Sequence, residues 1–180
     1  MNKNEAISLL KKHLNAEHLL THSLAVGAIM KETAEYLKED PEKWEITGIL
    51  HDLDYEYTSD NPEEHALKTV EILEKNIDES MKKAILAHNE KKNLETPFEI
   101  ALYAADALSG LITAAILVRP DKDVSNLTSK SLKKKFKDKA FARGAKRENI
   151  QKIEMLNITL EQFFEIGIKG LEKIKSELTL

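Results

Sequence analysis

Cysteine is absent from the 180 residues, which excludes disulfides, thiolate-bound zinc, iron–sulfur clusters and a cysteine nucleophile, and favours an intracellular setting. Any metal must then be held by His, Asp or Glu. No unbroken apolar run approaches the roughly 20 residues of a membrane span, and Met1 to Lys12 mixes Lys, Glu and Asn with isolated apolar residues. A soluble, cytoplasmic protein with no membrane partner is expected. Sustained period-2 alternation is missing, as are internal repeats, low-complexity tracts and an interdomain linker. With 42% hydrophobic and 32% charged residues, the chain is long enough to bury one core, and a single domain over residues 1–180 is expected.

Apolar residues recur at helical spacing almost throughout, so the fold class is all-α. Asn15 to Lys38 forms one helix with a stripe through Val26, Ile29, Met30, Thr33 and Leu37, stopped near Asp40-Pro41. The same Asp-Pro starts the next helix, which runs through Trp44, Thr47 and Leu50 and ends at His51-Asp52 before a polar turn. Asn61-Pro62-Glu63-Glu64 signals a helix to about Lys75, and Asp78 another through Met81, Ala84, Ile85 and His88. Thr96-Pro97-Phe98-Glu99 is a capping box opening a long apolar helix to about Val118, expected to be the most buried. Thr159-Leu160-Glu161-Gln162 caps a final helix with Phe163, Leu171, Ile174 and Leu178 on one stripe.

Between Phe98 and Val118 the only charges are Glu99, in the first turn, and Asp106. An ionised carboxylate buried there costs several kcal/mol unless it is paired or binds metal. Its partner is either a cation such as Arg119, Arg143 or a lysine, or a metal ion. His22, His51, His65 and His88 all fall on apolar stripes, whereas His13 and His18 lie in polar surroundings. Each of the four alone reads as a core histidine. Together with Asp52 and Asp106 they form the nitrogen and oxygen donor set that first-row divalent metals take when sulfur is absent.

The net charge of −4 conceals a basic segment: Lys130 to Arg147 carries nine Lys or Arg against Asp138, leaving about −12 on the rest. Such a segment is either a solvated helix face or an attractor of a phosphorylated ligand, with Lys133, Lys134, Lys137, Arg143 and Lys146 as candidate phosphate contacts. Nucleic acid is disfavoured as a partner, since only Phe136 and Phe141 interleave the charges and both suit burial.

His22, then Gly48-Ile49-Leu50-His51-Asp52, then Ala104-Ala105-Asp106-Ala107-Leu108 resembles the ordered His, His-Asp, Asp pattern of the HD superfamily. The resemblance implies a helical metal-dependent phosphohydrolase, with a core over about residues 16–120, a C-terminal helical extension over about 121–180, and His22, His51, Asp52 and Asp106 as first-metal ligands. His65 and His88 occupy the places of the two further histidines of two-metal members, Asp52 then bridging both ions; in a single-metal member they would bind substrate phosphate. The closest subgroup is the HDIG type, although His51-Asp52-Leu53-Asp54 stands where His-Asp-Ile-Gly is usual. Residues 111–150 resemble a little-characterised hydrolase subgroup of this kind.

The expected activity is hydrolysis of a phosphomonoester or phosphodiester, on a nucleotide or other small phosphorylated metabolite, with two divalent ions drawn from Mn, Fe, Co, Ni, Zn or Mg activating water. Asp52 is a catalytic candidate through the metal, and Asp54 and Glu56 are either groups that support the metal ligands or transfer protons, or turn-forming surface acids. A non-catalytic metal- or nucleotide-sensing module is the alternative. The sequence specifies no oligomeric state.

Overall fold

The computed structural model describes residues 1–178, and among these the regular elements are all helical. They are α1 (Lys3–His13), α2 (Glu17–Leu37), α3 (Pro41–Leu50), α4 (Tyr55–Thr58), α5 (Leu67–Leu73), α6 (Glu79–His88), α7 (Pro97–Leu117), α8 (Ser129–Lys137), α9 (Arg147–Gln151) and α10 (Leu160–Lys173). Short 3₁₀ turns lie at Val124–Asn126 and Lys152–Leu156. Thr179 and Leu180, at the end of the expected C-terminal extension, lie outside the described residues.

Local chemistry sets most boundaries. Asp40 accepts the Lys43 N–H at 3.1 Å with Pro41 in the first helical position of α3. The Thr96/Glu99 and Thr159/Gln162 reciprocal caps open α7 and α10. α7 is long and apolar enough to cross a membrane, but 72% of its most apolar window is buried inside the bundle. Its composition is that of a core helix, with α2, α6 and α9 packed around it. α10 returns against α2 and α7, burying Phe163, Phe164 and Leu171 completely.

Two expected helices differ. The helix expected from Asn61-Pro62 begins only at Leu67, after turns that place Ala66 at φ 71°. A carboxylate overrides the start signal: Asp54 takes His65 Nδ1 at 2.7 Å on one oxygen and the Thr69 N–H at 3.0 Å on the other. Seating both on one side chain reverses the chain at Ala66, in a conformation non-glycine residues rarely adopt. The final helix ends at Lys173, and Ile174 stays buried in the turn beyond it.

The basic segment is only partly a solvated face. On α8, Leu132 is buried and Phe136 packs on Phe164 with ring centroids 5.5 Å apart. Lys133 pairs with Glu161 at 3.0 Å. Arg147 turns inward: its guanidinium donates to the carbonyls of Lys135, Phe136, Asp138, Phe141, Ala142 and Ala145 at 2.6–3.2 Å. One side chain thus ties down the whole loop between α8 and α9.

α2 and α3 pack backbone to backbone. A Cβ added at Gly48 would lie 2.8 Å from Gly27 Cα and 2.9 Å from its nitrogen. Only hydrogen fits there, and the contact brings His22 and His51 to a ring-centroid separation of 5.3 Å. Gly48→Ala is expected to destabilise the protein by about 2–3 kcal/mol through overpacking against backbone that cannot yield. Gly144→Ala, where an added Cβ meets nothing within 4 Å, should stay within about 0.5 kcal/mol. Urea denaturation of both variants is the measurement, and equal midpoints would contradict the close-contact account.

Candidate metal centre

Four elements deliver imidazoles to one point. α2 carries His22, His51 follows the last residue of α3, His65 sits in the turn before α5, and His88 ends α6. Asp52 stands at their centre. Its Oδ2 lies 3.6 Å from His22 Nε2 and 3.4 Å from His51 Nε2; its Oδ1 lies 3.3 Å from His65 Nε2 and 3.2 Å from His88 Nε2. Asp106, from the middle of α7, adds Oδ1 at 3.1 Å from His22 Nε2 and 3.8 Å from His51 Nε2.

The other ring nitrogens fix the tautomers. The carbonyls of Gly48 and Ile85 face Nδ1 of His51 and His88, and a carbonyl can only accept. Asp54 accepts from His65 Nδ1. Ser109 spends its proton on the Asp106 carbonyl at 2.8 Å and so accepts from His22 Nδ1 at 3.0 Å. All four Nε2 atoms are therefore left facing carboxylate oxygens. His51 Nε2 is buried with no hydrogen-bond partner among the described residues.

Lone pairs aimed at lone pairs require a cation between them. Two sets, His22–His51–Asp52 and Asp52–His65–His88, each bring three ligand atoms within 4.8 Å of one another. Metal–ligand bonds of about 2.0–2.2 Å place neighbouring donors roughly 3–3.6 Å apart, the range seen around Asp52. The donors fit a divalent ion in both spacing and chemistry.

The electrostatics agree. Burial opposes ionisation of Asp52 and Asp106, yet His51, His65 and His88 around the first and His22 and His51 around the second hold both below the usual carboxylate range. Burial also opposes charge on His22 and His65 and is again outweighed: Asp106 and Asp52 raise His22, and Asp52 with Asp54 push His65 up to about 10. In the metal-free chain, protons supply the positive charge that a divalent ion would bring.

Several site expectations are corrected by the geometry. Asp106 is not sealed in apolar surroundings; its side chain is 32% exposed and opens on a cleft. Its partners are imidazoles, while Arg119 pairs with Asp121 at 2.8 Å. Asp54, at the place of the usual glycine, is fully buried rather than a surface acid of the turn, and it holds His65. Glu56 is committed elsewhere, accepting the N–H groups of Asn15 and Ala16 at 2.8 Å each at the entry to α2.

The cleft has a volume of about 380 Å³ and is bordered by His22, His88 and Asp106 on one side and by Gly144, Lys146 and Asn149 on another. Of the five basic candidates only Lys146 lines it. Arg143 precedes Gly144, Lys133 is paired with Glu161, and Lys134 and Lys137 stand exposed on α8. Asn89, Glu90 and Asn149 line the cleft without having been singled out from sequence. Tyr103 donates to Glu90 at 2.8 Å, its hydroxyl kept protonated by burial and by that carboxylate, which push it up to about 12. Ser109 was legible in principle, since it lies one helical turn beyond Asp106.

A family model described as HD domain matches residues 19–111. No curated protein and no solved structure matches the chain. The matched span begins within the helix that carries His22, passes through the His51-Asp52 pair and ends beyond Asp106, and the chain accordingly belongs to the HD domain family.

Proposed function

We propose that the protein is a two-metal phosphohydrolase acting on a small phosphorylated metabolite. The observation that supports it most is the division of one carboxylate: Asp52 turns Oδ2 to His22 and His51 and Oδ1 to His65 and His88. His22, His51, Asp52 and Asp106 would hold one ion, and Asp52, His65 and His88 a second. An all-nitrogen-and-oxygen set suits Mn, Fe, Co, Ni or Zn. Divalent ions at these positions supply Lewis acidity toward water and toward a phosphoryl oxygen.

The chain's own groups do the rest. Gly48, Ile85, Asp54 and Ser109 hold the four imidazoles in the tautomer that presents Nε2. Asp106 borders the cleft with Oδ1 turned to His22 and His51. Lys146 lines the same cleft and provides positive charge for phosphate oxygens. Asp54 acts through His65 alone, which makes it a positioning residue.

Metal analysis tests this reading. Wild type loaded with Mn or Fe should bind about two ions per chain, and His65→Ala with His88→Ala about one. Asp52→Ala should lose both ions and all phosphatase activity while keeping its helical circular dichroism. A wild type that never exceeds one ion, with the first site full, would reject the bridging role. For the cleft, Lys146→Ala should raise KM for phosphate esters about tenfold with a smaller effect on kcat, as the loss of a charged hydrogen bond requires. Lys133→Ala should leave KM within about twofold; equal effects of the two substitutions would return Lys146 to a solvated surface role.

A further inference from the structure

The lining of the cleft is chemically specific. Among the described residues that line it there is no Phe, Tyr or Trp, and its apolar side chains are Ala107 and Ala145. A nucleobase draws affinity from a stacking plane and an apolar surround; the only rings lining the cleft are the imidazoles of His22 and His88, which are committed to Asp106 and Asp52, and the apolar surround is two alanines. The amides of Asn89 and Asn149 and the carboxylate of Glu90 stand there instead. Amides offer donors and acceptors and a carboxylate offers acceptors only, the set that matches hydroxyl groups. The volume of about 380 Å³ also lies at the small end of ligand cavities.

Glu90 stands where its side chain is least favoured by the backbone. It follows the end of α6 at φ 59°, and the flanking bonds Glu90 N–H to Ala87 O and Lys91 N–H to Leu86 O close the helix in the manner that normally selects glycine. Tyr103, 8% exposed, donates to Glu90 Oε1 at 2.8 Å and fixes its direction. Oε2 makes no hydrogen bond among the described residues. An exposed side chain at a strained cap, held in direction by the Tyr103 hydroxyl and bordering the cleft, is placed to meet a ligand there.

We infer that the cleft takes a small hydroxyl-rich monophosphate, a sugar or polyol phosphate, and that Glu90 selects it by accepting hydrogen bonds from its hydroxyls while Tyr103 positions Glu90. The inference rests on the phosphohydrolase reading above. The same carboxylate repels a second phosphoryl group, which disfavours diphosphates.

The experiment compares kcat/KM for ribose 5-phosphate, glycerol 3-phosphate, a nucleoside 5′-monophosphate and p-nitrophenyl phosphate, using the metal-loaded full chain. Wild type should prefer ribose 5-phosphate to the nucleotide by about tenfold or more. Glu90→Gln should lower the ratio of ribose 5-phosphate to p-nitrophenyl phosphate about tenfold, chiefly through KM, as the loss of an ionic acceptor implies. Tyr103→Phe should lower it by a smaller factor in the same direction. Glu90→Gly should lose the same selectivity while melting no lower than wild type, because it relieves the left-handed position. An unchanged ratio in the Glu90 variants, a wild-type preference for the nucleotide, or loss of bound metal in Glu90→Gln would each overturn the inference. Turnover of p-nitrophenyl phosphate with an unchanged ratio refutes this inference and leaves the phosphohydrolase reading standing, whereas no turnover of any ester with the metals bound refutes both.

Discussion

A buried carboxylate that must meet four imidazoles at once constrains nearly everything around it. Asp52 can do so only if four separate segments end, turn or cross at the same place, and the helix ends solve much of that problem. His51 and His88 each follow or close a helix, where the terminal carbonyls lack intrahelical partners. Each ring reaches back three residues to such a carbonyl, Gly48 or Ile85, with Nδ1. A single geometric event therefore satisfies a helix terminus, selects a tautomer and points Nε2 inward. The other two histidines lack this local solution and borrow partners from elsewhere: Ser109 on α7 for His22, Asp54 for His65.

The cost of gathering these groups appears in the surrounding backbone. α2 and α3 pack through Gly27 and Gly48 because a wider spacing would part His22 from His51. The chain before α5 passes through a positive φ at Ala66 to seat His65 and Thr69 on one carboxylate. These contacts account for how histidines and aspartates spread along the chain become one cluster.

How much of this was legible in sequence depended on the range of the interaction. Capping boxes at Thr96 and Thr159 and the Asp40-Pro41 start are local, and each marks its helix correctly. The inward histidines and Asp106 were visible through periodicity and through a lone charge in an apolar helix. Asn61-Pro62 failed as a helix start because Asp54, remote in sequence, takes the Thr69 N–H in the first turn of α5 and so serves the start that is used. Glu56 and Lys133 could not be told from site residues by type; what decides is the partner each finds, Asn15 with Ala16 and Glu161. Glu90 left no periodic signal, since it lies in a turn. Arg147 was hidden in a run of like charges, among which nothing in the sequence marks the one that faces inward.

That inward arginine gives the cleft wall an unusual independence from solution conditions. Its six acceptors are backbone carbonyls, which do not titrate, and the guanidinium stays charged throughout the range in which proteins function. The exposed Lys133–Glu161 pair, by contrast, weakens with salt. The loop that carries Gly144 and Lys146 is thus held by short dipolar contacts over which acid and salt have little leverage. Salt can screen the ion pairs of the surface and still leave this side of the cleft with the same outline, so the wall keeps its shape where the surface pairs around it do not.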